Sequence, residues 1–120
     1  MKKLLVVDDE VAILEALQDI LSVEGYEVLT AANGAEGLKR AGQERPDLIL
    51  LDMMMPVMDG QEMLRRLKED AQLKHTPVLV MSAGRVTKAE LQGHRFLAKP
   101  FELDDLLDSV TEELKKKDGV

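Results

Sequence analysis

Residues 47–60 read Asp-Leu-Ile-Leu-Leu-Asp-Met-Met-Met-Pro-Val-Met-Asp-Gly. The run at 47–51 is apolar after its first residue and does not alternate with polar side chains, which is typical of a strand buried on both faces. Asp52 follows the run directly, and the proline and glycine further on indicate a loop. The stretch therefore predicts a central strand with a carboxylate at its carboxyl end.

Four more short apolar runs predict strands at 4–7, 26–30, 77–81 and 95–98. The segments between them have helical spacing and predict helices at 11–23, from 33 to about 42, at 61–70, near 87–90 and from 102 to about 116. The fourth helix is expected to have about two turns. In the last helix, the residues expected to face inward are Leu103, Leu106, Leu107, Val110 and Leu114.

The alternation of five strands with five helices predicts an α/β fold. Its strands read as buried on both faces, so helices must cover both sides of a parallel sheet. Right-handed crossovers then favour a (βα)5 doubly wound five-stranded parallel sheet with the flavodoxin-like strand order 2-1-3-4-5.

Length and composition restrict the possible functions. A chain of 120 residues fits one domain, 1–120, and its net charge of −7 argues against binding to nucleic acid. The absence of cysteine excludes disulfides and thiolate metal sites. The first apolar run ends at Asp8, too early for a signal peptide or a membrane span, so we expect no membrane association and a cytoplasmic location.

Polar side chains follow four of the five predicted strands. Asp8 and Asp9 follow the first, Asp52 the third, Ser82 the fourth and Lys99 the fifth. In such folds ligands bind beyond the carboxyl ends of the strands, where the strand order reverses. A single acid after a strand is more often a helix cap than a ligand, but the coincidence of four such positions indicates a functional site.

Three neighbouring carboxylates cannot all ionise cheaply without a countercharge. A hard divalent cation supplies one, and Mg²⁺ suits best because it accepts one or two carboxylates and keeps positions open for water and phosphate oxygens. A carboxylate nucleophile beside a metal, a lysine and a hydroxyl is a set of groups suited to phosphoryl transfer.

With these residues in place, the chain resembles the receiver domains of two-component response regulators. The motifs that carry the resemblance span nearly the whole chain in the order of the family: Val-Val-Asp8-Asp9-Glu10, Leu-Leu-Asp52-Met-Met-Met-Pro56-Val-Met-Asp59-Gly60, Val-Met-Ser82-Ala83 and Lys99-Pro100-Phe101.

The resemblance implies that Asp52 is the phosphoacceptor of a phosphorylation-activated signalling switch. Its phosphoryl donor would be a sensor histidine kinase or a histidine phosphotransfer protein, and phosphorylation would change the binding of a downstream protein target. Asp9 would ligate Mg²⁺ directly, Asp8 mainly through water, and the main-chain carbonyl of Met54 would be a further ligand. Lys99 would contact the phosphoryl group.

The resemblance also implies a cis peptide bond at Lys99-Pro100 and a conformational switch. Ser82 would move toward the phosphoryl oxygen, and Phe96 would follow it inward as the switch aromatic. The alternative for Phe96 is that its ring simply fills the core.

Two features of the chain bear on the output face and on the lifetime of the phosphoryl group. Only 16 residues lie between Ser82 and Lys99, a few fewer than usual, so we expect a short fourth helix and an output face that differs there from that of the family. Met54 and Gly84 flank the phosphorylation site in family terms, and neither can orient a water through a side-chain hydrogen bond. We therefore expect slow hydrolysis of the aspartyl phosphate by the protein itself.

Two other functions are weighed against this interpretation. The first is a phosphorylation-independent protein-interaction module of the same fold, although such modules usually lack an acid or the lysine, and all are present here. The second is a phosphatase of the haloacid-dehalogenase type, which needs an aspartate where Met54 stands. No turnover of an external substrate is expected, so the chain is not an enzyme in that sense.

Overall fold

The computed structural model describes residues 1–118, with side chains as far as residue 116. Strands and helices alternate along the chain as β1 (Lys3–Val7), α1 (Val11–Val23), β2 (Glu27–Ala31), α2 (Gly34–Glu44), β3 (Leu48–Asp52), α3 (Gly60–Glu69), β4 (Val78–Ser82), α4 (Lys88–Leu91), β5 (Arg95–Ala98) and α5 (Leu103–Asp118).

The sheet has the predicted topology. All neighbouring strands pair in parallel, and their order is β2-β1-β3-β4-β5. The chain enters the sheet at β1, moves outward to β2 and then crosses back to β3. The order reverses between β1 and β3, so the predicted switch point is confirmed.

Two apolar cores lie on opposite faces of the sheet, because successive side chains of a strand point to opposite sides. Leu5, Val7, Ile49 and Leu51 contribute to one core, in which the inner faces of α2 and α3 also take part. The other core lies under α1 and α5, and its strand residues are Leu4, Val6, Val28, Leu48, Leu50, Leu79, Met81 and Leu97.

Three strands end one residue later than the sequence predicted. β3 includes Asp52, which pairs with Met81, and β4 includes Ser82, which pairs with Ala98. The hydrophobic pattern stops at the first polar residue, whereas the backbone ladder continues through it. Both polar side chains are therefore mounted on paired backbone, which holds them more rigidly than a loop would.

Two predictions need correction. The fourth helix has only four residues, Lys88–Leu91, rather than two turns, and a capping box between Thr87 and Glu90 begins it. Leu103 is 51% exposed and does not face inward. It is the first residue of α5, which begins beyond the carboxyl edge of the sheet, so no strand lies beneath its side chain.

Among the helices of residues 1–118, none combines the length and the apolarity that crossing a membrane requires.

Candidate functional site

Three carboxylates meet at the carboxyl edge of β1 and β3. One oxygen each from Asp8, Asp9 and Asp52 lies within 4.8 Å of the others. Asp8 is 0% exposed and Asp52 is 4% exposed, whereas Asp9 is open to solvent. The convergence predicted from the strand ends is confirmed.

Backbone hydrogen bonds hold the two buried acids in place. The Asp8 N–H donates to the carbonyl of Ala31 at 3.1 Å, which extends the β1–β2 ladder past the end of β1. The Asp8 carboxylate accepts the N–H of Glu10 at 2.9 Å and thereby turns the chain into α1. Beyond Asp52, the N–H of Met53 donates to the carbonyl of Met81 at 3.1 Å.

Lys99 brings a positive charge to the acids from the end of β5. Its Nζ lies 2.6 Å from Asp8 Oδ2, 3.5 Å from Glu10 Oε1 and 3.8 Å from Asp52 Oδ1. The peptide bond from Lys99 to Pro100 is cis, as the resemblance implied. By these distances, the ammonium bonds most closely to Asp8, the most deeply buried of the three aspartates.

Burial and neighbouring charges together shift two pKa values at this edge. Burial raises the pKa of Asp52 and the charge of Asp8 adds to this effect, so the value reaches about 6 even though Lys99 acts in the opposite direction. Burial alone would lower the pKa of Lys99, but the hydrogen bond to Asp8 and the surrounding carboxylates outweigh it, so the net shift is upward.

Ser82 lies beside Asp52 on the neighbouring strand and is 1% exposed. Its Oγ accepts the N–H of Gly84 at 3.1 Å. Met54 approaches the same loop, because its Sδ lies 3.0 Å from the position that a Cβ on Gly84 would occupy. Gly84 thus leaves room for the Met54 side chain at the mouth of the site.

Phe96 is half-buried and packs against the core under α2 and α3. Its register partner on β4 is Val80, two residues before Ser82. These contacts are those of a core residue, and the ring lies on the strand next to the one that ends in Ser82.

The sequence interpretation assigned no role to Glu10, although it is the third acid of the run Asp8-Asp9-Glu10. In the structure its carboxylate lies near the Lys99 ammonium. The run itself was the available signal. Its third member was overlooked because it lies in the loop that leads into α1, where an acid is ordinarily a helix-start residue.

The donor set fits a small hard cation. Three carboxylates offer oxygen ligands from two strand ends, whereas Lys99 supplies a single positive charge beside them. Carboxylate oxygens are the ligands that Mg²⁺ prefers.

Replacing Asp52 with asparagine should stabilise the metal-free protein by about 3 kcal/mol at neutral pH, because a carboxyl with a pKa near 6 is charged there at a cost relative to the unfolded chain. Above the raised pKa the full difference is expected, and it should vanish below about pH 4, where the carboxyl is protonated in both states. Urea unfolding in the presence of a chelator measures the difference.

Asp19→Asn is the matched control, since Asp19 is an exposed residue of α1. It makes the same chemical change away from the site. Equal effects of the two substitutions would show that burial of Asp52 beside Asp8 does not destabilise the folded protein.

Comparison with known proteins gives a consistent result. Residues 4–111 match the response regulator receiver domain family. The chain is 42% identical over 105 residues to the alkaline phosphatase synthesis transcriptional regulatory protein PhoP of Bacillus subtilis, covering 83% of this chain and 43% of that protein. It is 39% identical over 122 residues to sporulation initiation phosphotransferase F of the same organism, covering 97% of this chain and 96% of that protein.

Solved structures agree with the sequence matches. The chemotaxis protein CheY4 of Vibrio cholerae has 37% identity and a TM-score of 0.87, with 93% of this chain and 98% of that chain covered. A CheY-like response regulator receiver domain protein of Methanospirillum hungatei has 30% identity and a TM-score of 0.90, with 99% and 98% covered.

Proposed function

The chain belongs to the response regulator receiver domain family and is a phosphorylation-activated signalling switch, and from that premise we propose that Asp52 is its phosphoacceptor. The observation that carries this proposal is the meeting of Asp8, Asp9 and Asp52 with the Lys99 ammonium at one sheet edge. Among the three acids, Asp52 lies at the end of the central strand β3 and is nearly buried.

The chemistry proposed for Asp52 is nucleophilic. A carboxylate oxygen forms a bond to phosphorus while the bond from phosphorus to a nitrogen of the donor histidine breaks, and the electron pair leaves with that nitrogen. Lys99 is close enough to offset the charge on the phosphoryl oxygens, and the Ser82 hydroxyl can donate its proton to one of them, because its bond with the Gly84 N–H uses Oγ only as an acceptor.

We propose that Mg²⁺ is held by the carboxylates of Asp9 and Asp52 directly and by Asp8 mainly through water, with the main-chain carbonyl of Met54 as a further ligand. When bound, the ion supplies positive charge for the phosphoryl oxygens. A switch in which Ser82 moves toward the phosphoryl group and Phe96 follows it inward completes the proposal.

The proposed donor is a sensor histidine kinase or a histidine phosphotransfer protein. A shallow cavity of about 370 Å³ opens beside the Lys99 ammonium, and its surface is largely apolar. We propose that a donor protein docks over this cavity when it brings its phosphohistidine to Asp52. The cavity is lined by Glu10, Ile13, Ala83, Lys99, Pro100 and Phe101.

The proposed output is altered binding to a downstream protein target, with no nucleic acid bound by this domain. The chain spans less than half of PhoP and half of the probable transcriptional regulator ycf27 of Cyanophora paradoxa, but 96% of sporulation initiation phosphotransferase F. We propose that 1–120 form a single receiver domain, whether or not other domains accompany it. Because α4 has only one turn, we propose that the output face near β5 differs from that of receiver domains with a longer fourth helix.

Incubation with acetyl phosphate and Mg²⁺ should add the mass of one phosphoryl group to the intact protein. Asp52→Asn should remove the adduct because the amide is not a nucleophile, and a chelator should suppress it in the parent protein. The exposed control Asp19→Asn should leave it unchanged. A parent protein without an adduct, or an adduct that persists in Asp52→Asn, would count against Asp52 as the phosphoacceptor.

We further propose that the protein hydrolyses its own aspartyl phosphate slowly. Hydrolysis needs a positioned water, and the thioether of Met54 is only a weak acceptor while Gly84 has no side chain. Met54→Asn should shorten the phosphoryl lifetime about threefold to tenfold, the factor that one net hydrogen bond provides.

The decay of the phosphorylated intact mass after removal of acetyl phosphate measures this lifetime. Val57→Asn is the matched control, because Val57 is exposed in the same loop and its φ of 69° is one that asparagine tolerates. An unchanged lifetime in Met54→Asn, or an equal change in the control, would refute the proposal.

A further inference from the structure

One of the methionines near the proposed phosphoacceptor is open to solvent. Met54 is 66% exposed, and Met1, at 92%, is the other strongly exposed methionine among the described residues. Met58 is half-buried. The remaining four are at most 8% exposed: Met53, Met55, Met63 and Met81. A dissolved oxidant therefore reaches the sulfur of Met54 far more readily than those of its two sequence neighbours.

The exposed sulfur borders the mouth of the site. A Cβ built on Gly84 would lie 3.0 Å from Met54 Sδ and 3.8 Å from Ser82 Oγ, so the sulfur and the hydroxyl face the same small space. The Met54 N–H also points toward the Asp52 carboxylate, with 3.5 Å between nitrogen and Oδ1. If the Met54 side chain becomes more polar, the added polar group therefore lies beside the proposed phosphorylation site.

We propose that Met54 is a site of reversible oxidation by peroxide and that its sulfoxide shortens the lifetime of the aspartyl phosphate. The second half rests on the proposed function. A sulfur lone pair attacks one oxygen of hydrogen peroxide, the O–O bond breaks and water leaves after proton transfer. The sulfur gives up two electrons, which reduce the peroxide, and a methionine sulfoxide reductase reverses the change.

The effect on lifetime follows from the acceptor strength of the two forms. The thioether is a weak acceptor, whereas the sulfoxide oxygen is polar and accepts hydrogen bonds well. An oxygen placed at the mouth of the site can hold a water beside the phosphoryl group. The oxidised protein should lose its phosphoryl group about threefold to tenfold faster, as expected for one net hydrogen bond to the attacking water.

Peptide mapping after brief treatment with hydrogen peroxide tests the oxidation itself. Sulfoxide should form at Met54 at a rate close to that at Met1, and well before it forms at Met53, Met55, Met63 or Met81. Oxidation of Met54 at the rate of these buried methionines would overturn the proposal.

The lifetime test compares treated and untreated protein after loading with acetyl phosphate and Mg²⁺. Treated parent protein should show faster decay of the phosphorylated mass, and reductase treatment should restore the slower decay. Met54→Leu should show no response to peroxide, whereas Met58→Leu should respond as the parent does.

An unchanged lifetime in the treated parent, or an equal response in Met54→Leu, would overturn the proposed effect on hydrolysis. Failure of the proposed function would be recognised separately, as the absence of a phosphoryl adduct in untreated protein. That result would also overturn the effect on lifetime, and the mapping would still decide whether Met54 is an oxidation site.

Discussion

Replacing Lys99 with methionine should lower the free energy of unfolding of the metal-free protein by about 3 kcal/mol, a typical cost of removing one partner from a buried ion pair. The Lys99 ammonium lies 2.6 Å from Asp8, which is 0% exposed, and 3.8 Å from the nearly buried Asp52. Without it, two carboxylates face each other with no countercharge from β5. Methionine retains much of the aliphatic stem, so the loss is mainly electrostatic.

Urea unfolding in the presence of a chelator measures this loss, and Lys39→Met is the matched control because Lys39 is exposed on α2. Adding millimolar Mg²⁺ should recover more stability in Lys99→Met than in the parent protein, since a bound cation replaces the missing charge. Asp8→Asn combined with Lys99→Met should be less destabilised than Lys99→Met alone. A loss no larger than that of the control would show that Asp8 is balanced by other means.

Replacing Gly60 with alanine should destabilise the protein by about 1–3 kcal/mol, the usual range for overpacking a filled site. A Cβ at this position would lie 2.6 Å from Met53 Cα and 2.7 Å from the carbonyl oxygen of Asp52. Both contacts are with backbone, which cannot rotate away as a side-chain tip can. The Gly60 N–H also donates to the Met53 carbonyl at 3.1 Å, so relief of the clash pulls on the backbone beside the proposed phosphoacceptor.

Gly42→Ala supplies the matched control for this substitution. Gly42 lies within α2, and a Cβ there would meet nothing within 4 Å. The same change of residue should therefore stabilise the protein by about 0.5–1 kcal/mol, because alanine favours the helix and restricts the unfolded chain. Denaturant midpoints measure both effects, and acetyl phosphate labelling should be slower only in Gly60→Ala. Effects of the same sign in the two variants would contradict the steric argument.

The fold was predictable from the sequence because its signals are local. Continuous apolar runs mark strands buried on both faces, and helical spacing marks the segments between them. The predicted strand ends and the predicted inward face of α5 were wrong where the local hydrophobic pattern differs from the strand pairing and packing of the folded chain. Asp52 and Ser82 ended their runs by polarity, yet both continue the ladder as the last residues of β3 and β4. Leu103 had the spacing of an inward residue, but the sheet does not extend beneath it.

The candidate site was also largely predictable, since parallel strands deliver their carboxyl ends to one edge. That rule brought Asp8, Asp9, Asp52, Ser82 and Lys99 together from residue types and strand ends alone. The shortness of α4 followed from a count of residues between Ser82 and Lys99, although the count overestimated the helix by about a turn. The family resemblance suggested a role for each of these groups, but it could not predict the distances between them.

By itself, the sequence determined the parallel sheet, its strand order and the chemical groups at its functional edge, because these depend on hydrophobic period and chain order. Tertiary structure decided how those groups share charge. Lys99 pairs most closely with Asp8, 91 residues away, and the burial of Asp52 beside Asp8 raises its pKa to about 6. It also decided that the Met54 sulfur lies against Gly84. Electrostatic energies depend on distances and on exclusion of water, and the packing of the whole chain sets both.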